Sequence, residues 1–459
     1  MEWSKLLNYK SFNVSGQERN HPFDLSRTPF QIDYDRIIFS DEFRRLDKKT
    51  QVHPLKTNDH VHARLSHSLE TSCVGRSLGC QVGKFLTSKP DFLPYPEVIS
   101  QKVNSDVIMP ILTGQIIQAA CLAHDIGNPP FGHAGEELIQ DWFKERAGEN
   151  MFSELTKDEM DDLQSFEGNA QAFRVLTRTS MRVNEGGMSI SYAVLGTMMK
   201  YPWIYSDKLP KKKFCSFISE KDYLQKVAEK CGLISSDLSE DRYSFSRHPF
   251  AFLSEASDDI CYNIMDLEDA YELKILDYDT VFDIFSDLCS LKKDFDREKY
   301  RNKDDKGSLS YLRAVAIGQC VNSVVNEFEN EYDNIMKGHK DLSYSLVKNS
   351  SISEIINNAK EISQTRVFIS ERKALLEVAA NKALTTLLEN FCEAVYNLHK
   401  LGKDKVSSYD RKILYLMGRN EPKESDTLFH KYQKVVDHIS GMTDNYAIRI
   451  SKNLNGVVE

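Results

Sequence analysis

Residues 119–133 read AACLAHDIGNPPFGH: an apolar run ends in the adjacent pair His124-Asp125, and Gly127, Pro129 and Pro130 follow at once, with His133 just beyond. The run extends back without a charge to Val107. It carries Pro110, Thr113, Gly114, Gln115 and Gln118, so its length and composition predict a buried helix rather than a membrane span. Proline cannot continue the helical hydrogen-bond ladder, so the helix stops at the His-Asp pair. A helix end inside a protein is a place where side chains from several segments can converge on an ion. That makes His124 and Asp125 candidate ligands and sets the rest of the search.

The chain has 459 residues, 41% of them hydrophobic and 28% charged, which predicts a folded chain with a sizeable core. Lys plus Arg number 59 against 68 Asp plus Glu, a formal charge of −9. A general affinity for nucleic acid or anionic membrane is therefore not expected, and any polyanion must be met by a local basic pocket. The nine cysteines are scattered, with no CxxC pair. They read as reduced, mostly buried thiols of a cytoplasmic protein. The first residues, MEWSKLLNYK, hold no apolar stretch of the signal-peptide kind.

Apolar residues recur at helical spacing along most of the sequence, predicting helices over 64–80, 113–127, 133–146, 258–273, 308–336 and 370–400. The fold class expected is all-α. The stretch from Lys200 to Phe250 differs, with Pro202, Pro210, Pro249 and the alternating run KFCSFIS, so a small β-hairpin insertion is expected around residues 205–250. The charged segment DFDREKYRNKDDK at 294–306 suggests a solvated connection. It divides an N-terminal, ion-binding part (1–290) from a C-terminal helical part (291–459) packed with it as one unit. An exposed helix face would have the same composition.

Six of the twelve histidines lie between positions 53 and 133. His67 falls in a helical pattern with Arg64 one turn before it on the same face. The segment SEASDDICYNIMDLEDAYE adds Asp258, Tyr262 and Asp266 at i, i+4 and i+8. Read alone, Asp258 or Asp259 could as well be a helix N-cap and Asp266 a solvated charge. Taken together, His67, His124, Asp125 and Asp258 make a set of two imidazoles and two carboxylates suited to Mn²⁺, Mg²⁺, Fe²⁺ or Ni²⁺.

These residues resemble the HD superfamily of metal-dependent phosphohydrolases. The likeness is closer to the deoxyguanosinetriphosphate triphosphohydrolases within it. It is carried by RIIFSDEFRRLDKKTQV (36–52), RLSHSLET (64–71), AHDIGNPPFGHAGE (123–136), FEGNAQAFRVLTR (166–178), KYPW (200–203), SDDICYNIMDLEDA (257–270) and GMTDNYA (441–447), in that order along nearly the whole chain. The resemblance implies an HD-domain fold and cleavage of a dNTP into deoxynucleoside and inorganic triphosphate, with dGTP the first candidate substrate. It implies a divalent metal on His67, His124, Asp125 and Asp258, and a catalytic histidine, His133, with Glu136 as its acidic partner. Substrate contacts carried over are Arg64, Lys200, Tyr201 and Lys213 for phosphates, and Tyr262, Asp266 and Gln51 for the sugar. A homo-oligomer, hexamer or tetramer, and a nucleotide effector are also implied. Two positions depart from the pattern of many relatives: Asn128 and Gly168 stand where a histidine is common. Other HD enzymes, such as 5′-nucleotidases and phosphodiesterases, would share the metal ligands. A non-catalytic nucleotide sensor would keep Lys200, Tyr262 and Asp266.

Overall fold

The backbones of two long helices, Arg64–Leu86 and Ser105–Ala123, meet along a line of small residues. A Cβ added at Gly79 would lie 2.7 Å from the Gly114 Cα. Gly75 faces Ile117 and Cys121, whereas Gly83 faces Pro110 and Thr113, so the pair is antiparallel. The Thr113 hydroxyl donates to the Gly79 carbonyl at 2.9 Å and ties the crossing. The start of one helix therefore lies beside the end of the other. Leu112, Ile116, Ile117 and Ala119 to Ala123 are fully buried, and the apolar 105–123 segment is a core helix, 67% of its most apolar window covered by protein.

The computed structural model describes residues 1–12, 17–49, 62–179, 187–205, 213–235, 243–301, 305–340, 343–367 and 371–457. Helices supply nearly all of its regular structure. The single sheet among the described residues pairs two short strands, Ser11–Phe12 and Glu18–Arg19, antiparallel. The hairpin expected around 205–250 is not seen among the described residues. That stretch contributes isolated bridges, one of them parallel between Ile204 and Ser216, and a helix at Lys221–Cys231. Phe214, Cys215, Ser216 and Phe217 of KFCSFIS are buried one after another, and the run pairs only through the single bridge at Ser216 among the described residues.

Two apolar cores organise the helices. The first gathers Arg64–Leu86, Ser105–Ala123, Tyr192–Met198, Pro249–Glu272, Tyr278–Cys289 and Asp305–Asn330. The second gathers Gly132–Arg146, the Phe166, Tyr201, Trp203 and Phe214 region, and the C-terminal helices Glu371–Leu401, Leu428–Ser440 and Asp444–Leu454. The expected division at 290/291 runs through the first core, because Tyr278–Cys289 packs on Asp305–Asn330. Of the charged stretch 294–306, the short helix Glu298–Arg301 buries no residue.

A buried ionic network crosses between the N-terminal and C-terminal halves. Arg174 donates from Nε and Nη2 to the two oxygens of Asp437, each at 2.9 Å, and from Nη1 to Glu220 at 2.5 Å. Arg178 adds a 3.1 Å bond to Glu220, which is fully buried. Replacing Arg174 by Met keeps a long apolar stem but strands the Asp437 carboxylate in the interior. The expected result is a loss of about 3–5 kcal/mol of unfolding free energy, read from urea denaturation followed by circular dichroism. An unchanged midpoint would remove this network from the account of how the halves are held.

Candidate metal centre and active site

The antiparallel helix pair decides where the first ligands meet. His67 stands in the first turn of Arg64–Leu86, and His124 caps the C-terminus of Ser105–Ala123 with Asp125 next to it. The two imidazole rings lie 5.3 Å apart and nearly edge to face. His67, His124 and Asp125 each offer a ligand atom within 4.8 Å of the others. Asp258 completes the group: its Oδ1 is 3.1 Å from His67 Nε2 and 3.5 Å from His124 Nε2. His124 Nδ1 lies 2.7 Å from the Cys121 carbonyl and donates to it, which turns Nε2 toward the carboxylates.

The helix bearing Asp258 runs from Pro249 to Glu272, with His248 as its N-cap. The cap therefore lies ten residues before Asp258, and the alternative reading of that residue falls away. Asp266 is 5% exposed, not a solvated charge.

The electrostatics of the cluster favour a cation. Burial would lower the proton affinity of His124, but the Asp125 and Asp258 carboxylates override it and raise its pKa to about 9. Burial would raise the pKa of Asp258, but His124 and then His67 outweigh it and hold this carboxylate well below the usual range. Nitrogen and oxygen donors in this negative field fit a borderline-to-hard divalent ion.

A cavity of about 190 Å³ opens over these ligands. His133, Glu136, Arg64, Lys200, Tyr201, Lys213 and Tyr262 share its wall with His124, Asp125 and Asp258. The wall is a seam between the cores: the metal-binding helices come from the first, and His133, Glu136, Tyr201 and Lys213 stand on elements of the second. His133 Nδ1 is 3.1 Å from Glu136 Oε2, and its ring is largely exposed. The Gly168 N–H donates to the other Glu136 oxygen at 2.8 Å. A larger cavity, about 590 Å³, lies elsewhere beside Arg45, Arg419 and His438. The smaller one is the candidate site, because His124, Asp125 and Asp258 of the histidine–carboxylate cluster line it.

Arg64, expected on a phosphate, donates to Asp125 Oδ2 at 2.8 Å. Lys200 sits 3.3 Å from Glu255, which also pairs with Arg247. Lys213 sits 3.7 Å from Glu167, and its carbonyl accepts from the Trp203 indole at 2.8 Å, which joins the KYPW segment to this lysine. Burial pushes Tyr262 and Asp266 above their ordinary pKa values; neighbouring carboxylates add to the effect. Asp266 is buried and is not one of the residues lining the cavity, and its Oδ2 has no hydrogen-bond partner among the described residues. Gln51 lies outside the described residues.

Sequence reasoning gave no role to Glu167 or Glu255, the partners of the two lysines. Glu167 stood inside the quoted FEGNAQ run, and Glu255 is one helical turn before Asp258, so both were within sight. Burial, then the Glu136 carboxylate, push Glu167 up to about 7. The two unusual positions, Asn128 and Gly168, touch. The Asn128 amide donates to Asp125 Oδ1, and a Cβ at position 168 would lie 2.4 Å from Asn128 Oδ1 and 2.6 Å from Glu136 Oε1. With these neighbours in place, only glycine fits there.

The HD domain family matches residues 64–190, the segment that carries His67, His124, Asp125, His133 and Glu136. With this cluster, the match makes the chain a metal-dependent phosphohydrolase of the HD class. A deoxyguanosinetriphosphate triphosphohydrolase-like protein of Pseudomonas aeruginosa is 39% identical, over 99% of each chain. Another with that description, from Synechocystis sp., is 36% identical over the whole of both. A deoxyguanosinetriphosphate triphosphohydrolase of Klebsiella pneumoniae is 28% identical over 91% of this chain and 92% of its own. The chain belongs to the deoxyguanosinetriphosphate triphosphohydrolase family of the HD superfamily.

Removing one ligand tests the centre. Asp125→Ala is expected to lose bound divalent metal while keeping its helical circular dichroism, because the remaining donors no longer close the set. Metal content after gel filtration, measured by mass spectrometry, checks this. Full occupancy in the variant would rule Asp125 out as a ligand.

Proposed function

We propose that this protein hydrolyses deoxynucleoside triphosphates, dGTP foremost, to deoxynucleoside and inorganic triphosphate. The observation that carries the reading is the meeting, in one cavity, of His124, Asp125 and Asp258 backed by His67, the His133–Glu136 pair and the lysines Lys200 and Lys213. A divalent ion held by His67, His124, Asp125 and Asp258 would polarise the α-phosphate and acidify the attacking water. The water oxygen bonds to the α-phosphorus, the bond to the 5′-oxygen breaks, and that oxygen takes a proton.

His133 is the proton donor in this reading. Glu136 accepts from its Nδ1, which fixes the ring and leaves Nε2 for exchange with the substrate. Lys200, Lys213 and Tyr201 receive the triphosphate. Each lysine gives up its carboxylate partner, Glu255 or Glu167, for a more highly charged anion. Arg64 keeps Asp125 oriented and has a second guanidinium nitrogen to offer a phosphate oxygen. Tyr262 packs on the deoxyribose where a 2′-hydroxyl would clash, and Asp266 and Gln51 are assigned to the 3′-hydroxyl on the family resemblance alone. A hexamer or tetramer, a nucleotide effector and a cytoplasmic location belong to the same proposal.

Two measurements test the reading. Hydrolysis of each dNTP in ¹⁸O-water should place the label in inorganic triphosphate and none in the nucleoside; labelled orthophosphate or pyrophosphate would defeat attack at the α-position. Tyr262→Ala should narrow the gap between dGTP and GTP in kcat/KM by on the order of ten-fold or more, the value of a lost steric exclusion. An unchanged ratio would refute the steric account of sugar selection.

A further inference from the structure

GMTDNYA, residues 441–447, is far from the cavity in sequence and contributes no residue to its wall. Its contacts nevertheless lead there. The Asp444 carboxylate, 2% exposed, accepts the Phe131 N–H at 3.0 Å across 313 positions of chain. Phe131 is the N-cap of Gly132–Arg146, in a left-handed conformation with φ +66°. Such a backbone is unfavourable for a bulky side chain and persists only where its surroundings hold it. Two residues on stands His133.

A second contact acts on the same turn from the other side. Lys49, 3% exposed, donates from Nζ to the Asn128 carbonyl and to the Ser440 carbonyl, each at 2.6 Å. Asn128 in turn donates its amide to Asp125. Arg45 donates to the Gly441 carbonyl at 3.1 Å and fixes the segment from which Asp444 projects. The turn 125–133, which carries a metal ligand at one end and His133 at the other, is thus gripped at Asn128 and at Phe131.

We propose that Asp444 and Lys49 are positioning residues: together they clamp the turn between Asp125 and His133 and set the separation of the metal centre from the proton donor. The clamp's catalytic consequence rests on the function proposed above; its grip on the turn does not. An error of about 1 Å in such a separation is enough to cost on the order of a hundred-fold in rate. Neither residue reaches the cavity, so substrate affinity should survive their loss.

The full-length protein is compared with Asp444→Ala, Asp444→Asn and Lys49→Met. Hydrogen exchange, followed by mass spectrometry without added nucleotide, should quicken in the peptide spanning 128–135 in Asp444→Ala and Lys49→Met and stay unchanged in the 249–272 helix. The kcat for triphosphate release should fall by about ten-fold or more in both, with KM within about two-fold. Asp444→Asn, which keeps an acceptor for the Phe131 N–H, should recover most of the rate. Unchanged exchange in 128–135 would overturn the proposal, as would a loss confined to KM or an Asn variant as impaired as Ala. Should Asp444→Ala not fold, Lys49→Met and Asp444→Asn carry the same comparison. If the wild-type protein releases no triphosphate, the proposed function fails, and exchange alone decides the clamp.

Discussion

At Gly79 and Gly114 the backbones of two helices come so close that a single added methyl group would meet main-chain atoms. The rest of the site depends on that approach. Because the pair is antiparallel, the first turn of Arg64–Leu86 is carried to the end of Ser105–Ala123, and His67 arrives beside His124 and Asp125. Wider packing would separate the ligands. The Pro249–Glu272 helix, set against both, then needs to supply only Asp258.

The second core brings what the first lacks. His133 and Glu136 begin a helix packed against Glu371–Leu401, and Lys213 is anchored through the Trp203 indole. Placing the cavity on the seam lets each core stay apolar while the polar groups face one another across it. The price is a wall rich in carboxylates: Asp125, Glu136, Glu167, Glu255 and Asp258 face Arg64, Lys200 and Lys213. A divalent ion would tip this balance toward accepting a polyphosphate. The lysines held by Glu167 and Glu255 keep their charge in place meanwhile. In a chain of net charge −9, these pairs keep three cationic side chains gathered on one cavity wall.

Asn128 and Gly168 illustrate a coupling invisible in one dimension. They are forty positions apart, yet the amide of one occupies the space that a side chain at the other would need. Asn128 directs Asp125, and the Gly168 N–H directs Glu136, so the pair links the histidine–carboxylate cluster to the carboxylate beside His133. A side chain at position 168 would require the Asn128 amide and the Glu136 carboxylate to move.

The sequence by itself determined the helical class, the end of the central helix at His124-Asp125, and the i, i+4, i+8 spacing of Asp258, Tyr262 and Asp266. All of these follow from local rules: helical periodicity, the missing N–H of proline and the 100° step between neighbours on a helix. Tertiary structure alone decided that Phe214, Cys215 and Phe217 enter the core with no hairpin among the described residues, and that Asp266 is buried away from the cavity lining. It also decided that Arg64 serves Asp125, that Glu167 and Glu255 hold the lysines, and that Asp444 reaches Phe131. Each of those is a contact between segments distant in the chain. Their partners are chosen by which helices pack together, and no spacing within a single segment records that choice.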